Sequence, residues 1–204
     1  MAVRYWALAT EDPLSEAVGR RLLAELPGPI EVSPTLQHRG RGYLRKKTKS
    51  WVQMSQRQGV LLLTDLDRLE CPLALLGDWL KGQTTPPSLL LRIAVRTVES
   101  WVLSDHAVMR ALIGVRATLP PRPDELPNPK QHLLKLAQRA PRDIRLDLLK
   151  QHGAMACQGL GYNSRLSEWI RSAWSPSRAA EISPSLRRAR ERLRARDAQL
   201  AFRS

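Results

Sequence analysis

Two kinds of apolar pattern alternate along the first half of the chain. VRYWALA, residues 3 to 9, is a short apolar run that reads as a strand, and from Pro13 to Leu26 the residues Leu14, Ala17, Val18, Leu22 and Leu26 share one helical face. A weaker strand pattern covers Ile30 to Val32, a basic loop follows, and a helix-like stretch runs from Leu44 to Gln58. Val60 to Leu63 is continuously apolar, as suits a strand covered on both faces. After Pro72 the segment ALLGDWL predicts a short helix ending near Gly82, TTPPS breaks the chain, and SLLLRIAV from Ser88 to Val95 predicts another strand. Val98, Trp101, Val102, Val108, Met109 and Leu112 then continue a single helical pattern up to Gly114.

Strands alternating with helices predict an α/β domain over residues 1–115, a mainly parallel sheet flanked by helices. Beyond it no strand pattern appears. LPPRPDELPNP, residues 119 to 129, reads as a proline-rich connector. Helical patterns return at Lys130 to Arg139, Asp143 to Gln151 and Ser164 to Ala173, the third with Asn163 placed to cap it. A last helix opens at SPSL, with Ser183 as cap and Pro184 in the first position. Residues 116–204 are therefore expected to form a helical C-terminal portion with an arginine-rich end. GLGYNS, residues 159 to 164, lacks the third glycine and the preceding strand of a dinucleotide loop, so it reads as a turn with a helix cap. The six tryptophans stand mostly at apolar helical positions and are expected in the core, or at an interface of an oligomer if exposed.

Charge changes the picture. Against 19 acidic residues the chain carries 33 lysines and arginines, a net +14 that predicts attraction to a polyanion, nucleic acid before an anionic membrane. No apolar run reaches the roughly 18 to 20 residues needed to span a bilayer, and MAVRYWALAT lacks the basic start and cleavage site of a signal peptide, so a cytoplasmic protein without membrane contact is expected. Cys71 and Cys157 have no CxxC or histidine partner spacing, which predicts neither a disulfide framework nor a zinc site.

The acids are scarce, and they gather at strand ends. GVLLLTDLDR runs from an apolar strand into Asp65 and Asp67, which in an extended chain lie on one side, about 6.5 to 7 Å apart. The first strand runs into Glu11 and Asp12, and the fourth into Glu99. A lone DxD is as readily a cap or a turn. Three such ends together indicate a site, because ligands of open α/β sheets collect at the carboxyl ends of the strands. Carboxylates that close repel and raise one another's pKa, and a hard divalent cation with oxygen ligands relieves this.

These residues resemble a known family. ATEDPLSEAVGRRLL is similar to the opening of a Toprim domain, and LLLTDLDR to that domain's DxD strand. RIAVRTVESWVLSDHAVMRALIGV, PDELPNPKQHLLKLA, GLGYNSRLSEWI and SPSLRRA are similar to bacterial Toprim-like proteins associated with phage defence and with ATPases of the overcoming-lysogenization-defect or SMC-like type. The resemblance implies a Toprim-like fold, with Glu11, Asp65 and Asp67 holding Mg²⁺ or Mn²⁺ for phosphodiester chemistry and Glu99 joining them as a catalytic candidate by strand position. It also implies a partner ATPase. The family glutamate is usually followed by glycine, where this chain has Asp12.

Basic residues supply the complementary half. RGRGYLRKKTKSW carries Arg39, Arg41, Arg45, Lys46, Lys47 and Lys49, with Tyr43 and Trp51 between them, a composition suited to phosphate contacts and base stacking or to a solvated loop. Arg68 and Arg96 flank the acids as candidates for neutralising a phosphate, or as structural counter-ions, and Lys130, Lys135 and Arg139 share a helix that would line the groove. LRRARERLRAR, with Arg187, Arg190 and Arg194, could grip nucleic acid, dock a partner's acidic surface, or do neither. Tyr5 lies in a strand and Tyr43 in the loop, so water is the expected nucleophile. No Walker A motif is present, so any ATP dependence comes from another chain. Three functions follow: a metal-dependent nuclease serving as a defence effector, a catalytically silent subunit delivering nucleic acid to an ATPase, or a toxin-like effector that cuts RNA such as tRNA.

Overall fold

The fold was obtained as a computed structural model and is described for residues 3–36, 40–67, 69, 71–81, 85–152 and 155–201. Its centre is the sheet that the apolar runs predict. Strands β1 (Arg4–Thr10), β2 (Ile30–Leu36), β3 (Gly59–Asp65) and β4 (Leu89–Ala94) pair in parallel in the order β2-β1-β3-β4. The inner strands β1 and β3 are buried on both faces, which is why they read as unbroken apolar runs.

Alternation along the strands divides the core. Trp6, Leu8, Leu61, Leu63, Leu90 and Ala94 belong to one buried cluster, and Ala7, Ala9, Val60, Leu62, Leu89 and Leu91 to another. The second cluster is closed by α2 (Gly40–Lys46), α3 (Thr48–Met54) and α4 (Pro72–Leu80) through Leu44, Trp51, Leu75 and Trp79. The first is larger. It takes α1 (Pro13–Leu23), α5 (Val98–Ser104) and α6 (His106–Ile113), and then α7 (Pro129–Ala137), α8 (Arg142–Leu148), α9 (Tyr162–Ser172), α10 (Pro176–Ile182) and α11 (Pro184–Ala201). Residues beyond 115 thus pack into the same core as the sheet. Five of the six tryptophans are buried and Trp169 packs against the core, as expected of them, although Trp6 stands on β1 and Trp174 between α9 and α10.

Local structure departs from the sequence reading in several places. The basic loop is largely the helix α2, and Tyr43 lies in it, half-buried. The expected helix from Val98 to Gly114 is two helices, because Asp105 leaves helical geometry with φ −83° and ψ 80°. Its buried carboxylate accepts the Val108 N–H at 3.4 Å and the Ser175 N–H at 2.8 Å, and it pairs with Arg178 at 2.8 and 3.0 Å, joining the α5–α6 corner to α10. A hairpin of β5 (Leu149–His152) and β6 (Met155–Gln158) stands where only helix was expected. Four residues per strand are too few to write an alternation into the sequence. The cap of α9 is Gly161 rather than Asn163. GLGYNS is a packing turn: a Cβ on Gly159 would lie 2.4 Å from the Asp147 carbonyl oxygen, so only glycine lets the chain pass α8 this closely. Among the described residues no helix is long and apolar enough to cross a membrane.

The terminal helix opens as expected, the Ser183 hydroxyl accepting the Leu186 N–H at 3.2 Å. Leu186, Ala189 and Leu193 are buried. At its start the Ser185 hydroxyl accepts the Trp101 indole N–H at 2.7 Å, and near its end Asp197 pairs with Arg4 at 2.8 Å and accepts the Trp6 indole N–H at 3.3 Å. Arg190 makes two bonds to Glu25, at 2.7 and 3.2 Å, and Arg194 approaches the same carboxylate at 3.8 Å. Arg187 donates to the Ala180 carbonyl at 3.2 Å. The three arginines that the sequence nominated for substrate or partner are thus engaged within the chain itself.

Replacing Asp105 by alanine removes two amide caps and one charged pair at once. Urea unfolding is expected to register a loss of about 2–3 kcal/mol. Asp105→Asn, which retains an acceptor, is expected to lose less.

Candidate functional site

The carboxyl ends of β1 and β3 lie side by side because the strands run parallel in close register, with Thr10 opposite Leu63. Glu11 directly follows β1 and reaches across to β3. Its carboxylate accepts the hydroxyl of Thr64 and, at 3.1 Å, the backbone N–H of Asp65. Asp65 closes β3 and in turn accepts the N–H of Val98, the first residue of α5, at 2.9 Å. Glu99 follows on the same helix, buried, and accepts the phenol of Tyr162 at 2.9 Å. Asp12, standing where the resembled family has glycine, caps α1 by accepting the Ser15 N–H at 2.8 Å.

Asp67 does not continue the strand alternation. Its φ of 53° is left-handed, so the chain turns after Leu66 and the side chain emerges to solvent, where it meets Arg41 of α2 at 3.1 Å. The turn is clasped by Arg96, also left-handed at φ 58°. The Asp67 N–H donates to the Arg96 carbonyl at 2.8 Å, and the Arg96 guanidinium donates to the carbonyls of Asp67 and Leu69 at 3.3 and 3.1 Å.

Electrostatics tie the acids together. Burial pushes the Asp65 carboxyl well above its usual range, and the charges of Glu99, Glu11, Asp12 and Asp67 push it further. Glu11 is raised by burial and by Asp67, against the opposing hydrogen bonds of Thr64 and Asp65 and the charge of Arg41. Burial and Glu99 hold the Tyr162 phenol well above its ordinary value, so it stays a neutral donor. The structure therefore brings Glu11, Asp67 and Glu99 each within the field of Asp65 at one edge of the sheet.

The basic residues fare differently. Arg39 and Arg68 lie outside the described residues. Arg41 faces Asp67, and Arg45 is paired with Asp78 of α4 at 2.6 Å, both pairs exposed. Lys46, Lys47 and Lys49 are exposed. The Gly40 N–H donates to the Glu11 carbonyl at 3.2 Å, which sets the start of this basic helix beside the acids. Arg96 uses its guanidinium as a backbone clasp. Lys130 sits over the Tyr162 ring, 5.3 Å from its centre. Lys135 and Arg139 instead line a cleft of 860 Å³ with Arg116 and His132, a cleft lined by none of the four acids.

Sequence reasoning missed Thr64 and Tyr162. The polar threonine closing an apolar strand was an available signal. Tyr162 was not legible, since it lies 63 residues from Glu99 and inside a turn motif.

The donor set suits a hard divalent cation: all the candidate ligands are carboxylate oxygens, and burial raises the cost of charge on Glu11 and Asp65. Among the described residues no group of three or more His, Cys, Asp or Glu is assembled as a ready-made metal cage. Mg²⁺ requires less, since it keeps several waters and takes one or two carboxylates together with substrate phosphates. On that count Glu11 and Asp65, joined by a hydrogen bond, meet the requirement, while Asp67 stands exposed beside Arg41. Comparison with protein-family models, with curated proteins and with solved structures found no match.

A carboxyl whose folded pKa is raised contributes its full stability below the unfolded pKa, and that stability is lost as pH rises through the folded value. Metal-free protein is therefore expected to lose stability as pH climbs above the ordinary carboxylate range. Asp65→Asn keeps an acceptor for the Val98 N–H and removes the charge. In EDTA at neutral pH it is expected to melt higher than the unsubstituted chain, by about 2–4 °C for each kcal/mol relieved, and to show a flatter pH profile.

Proposed function

We propose that this chain is a metal-dependent phosphodiester hydrolase, a nuclease of the Toprim type acting on DNA or RNA. One observation carries the reading: Glu11 and Asp65, at the ends of two adjacent parallel strands, are joined by a hydrogen bond and share a field with Asp67 and Glu99. Folding alone gains nothing from massing like charges there, since each raises the cost of ionising Asp65.

Glu11, Asp65 and Asp67 would hold Mg²⁺ or Mn²⁺, which when bound supplies phosphate polarisation and charge neutralisation. The protein's own groups do the rest. Thr64 and the Asp65 amide fix the Glu11 carboxylate toward β3, and the Val98 amide fixes that of Asp65. Tyr162, buried and neutral, orients Glu99 and is not exposed as a nucleophile, which leaves water for that role. Arg41 is the cation nearest a substrate phosphate. Its exposed pair with Asp67 is worth little, so a phosphate can displace it. An ATPase partner, and a role as effector of phage defence, belong to the same proposal and rest on the sequence resemblance.

Incubating the purified chain with labelled DNA and RNA is expected to give cleavage with Mg²⁺ or Mn²⁺ and none with EDTA. Asp65→Ala and Asp67→Ala should each lower the rate by more than the roughly 10–100-fold typical of losing an outer-shell partner of a metal site. Binding in EDTA should persist in both variants. Undiminished cleavage by both would remove the proposed chemistry.

A further inference from the structure

Four arginines lie together on β4 and α11, with no counter-ion among the described residues. Arg188, Arg192 and Arg196 stand one helical turn apart on α11, rising about 6 Å per step. Arg92 projects from the middle of β4 on the face that also carries Leu90 and Ala94, the face α11 covers. Burial lowers the Arg92 pKa, and so do the charges of Arg192, Arg196 and Arg188, in that order. Arg92 donates its Nε–H to the neighbouring Leu91 carbonyl at 2.9 Å, and Arg196 donates to Gln199 at 2.8 Å. Among the described residues none of the four is in an ion pair, and Glu191, between them on the helix, pairs with none of them. The opposite side of the same helix differs: Arg190 and Arg194 share Glu25.

Arg92, Arg188 and Arg192 border a groove of 290 Å³ floored by β4, with Arg188 and Arg192 on one wall and Leu73 and Leu76 of α4 on the other. Leu73 is 74% exposed. Val95 also lines the groove, one residue before the Arg96 that clasps Asp67. It follows Ala94, the partner of Asp65 in the sheet.

We infer that this groove is a track for the backbone of a single nucleic-acid strand entering or leaving the acidic site, with Arg92, Arg188 and Arg192 on its phosphates, Arg196 one helical turn further along, and bases against the leucine wall. Like charges held together without counter-ions call for a polyanion, and the arginine fork matches phosphate oxygens two at a time. Regular one-turn spacing suits the even charge of a phosphodiester chain. An acidic polypeptide fits less well. β4 is an edge strand, and an inward-leaning charge such as Arg92 is a device that keeps other strands from pairing with such an edge. A groove of this size is also narrow for a helix about 10–12 Å across. The inference rests on the proposed function only in its choice of polyanion.

The test measures binding of a labelled single-stranded oligonucleotide to the full chain in EDTA across a salt series, apart from any cleavage assay. Arg188→Glu/Arg192→Glu/Arg196→Glu is compared with Arg110→Glu/Arg142→Glu/Arg171→Glu, an equal charge change at exposed positions on α6, α8 and α9. The groove variant is expected to bind at least about tenfold more weakly and to lose about 2 from its salt slope, near 0.7 for each of three phosphate contacts. The control variant is expected to keep the slope. Arg188→Gln/Arg192→Gln/Arg196→Gln, free of introduced repulsion, should lose the same slope, and near-native circular dichroism of each variant establishes folding. Equal weakening by groove and control variants would overturn the track, since net charge alone would then govern binding. So would an unchanged slope in the groove variants, or loss of poly-glutamate binding while the oligonucleotide is still held. Slope loss without metal-dependent cleavage of any substrate would uphold the track and remove the nuclease reading instead.

Discussion

Placing several carboxylates at one edge of a sheet, partly out of water, is the constraint around which the rest of this molecule is arranged. Each acid is held by a donor from a different element. Thr64 and the Asp65 amide hold Glu11, the first amide of α5 holds Asp65, and the phenol of Tyr162 holds Glu99. None of these donors carries a charge, so they fix the acids in place without neutralising them. Burial and mutual repulsion consequently keep Asp65 and Glu11 raised. Neutral donors leave room for a cation to complete the site, whereas a set of buried ion pairs would have closed it.

The parallel sheet makes this arrangement possible. Parallel pairing brings the ends of β1 and β3 to the same edge. The first amide of α5, which follows β4, and the phenol of Tyr162, the first residue of α9, arrive beside the acids there. The segment after residue 115 belongs to this scheme through its core residues and through Tyr162. Its helices fill the face of the sheet that α1 and α5 leave incomplete.

Two sets of arginines have different surroundings. Arg41, Arg45, Arg165, Arg178 and Arg190 are matched to acids of the chain. Among the described residues Arg92, Arg188 and Arg192 are not, and they line one groove. A net charge of +14 does not distinguish the two sets.

What the sequence determined by itself was whatever short-range periodicity encodes. The run at residues 3 to 9 read as a strand and that at Val60–Leu63 as a strand covered on both faces, and their alternation with helical patterns required a largely parallel sheet. Strand ends carrying Glu11 and Asp65 followed from those boundaries. Tertiary structure decided what depends on residues far apart in the chain. The left-handed turn at Asp67 comes from its clasp with Arg96, the break at Asp105 from Arg178 and Ser175, and the Tyr162–Glu99 bond from packing across 63 residues. The two faces of α11 were also undecidable from an arginine-rich repeat, because every turn of it looks alike. Glu25, in the turn after α1, and Arg92 on β4 give those faces their different environments, and only folding brings either of them to the helix.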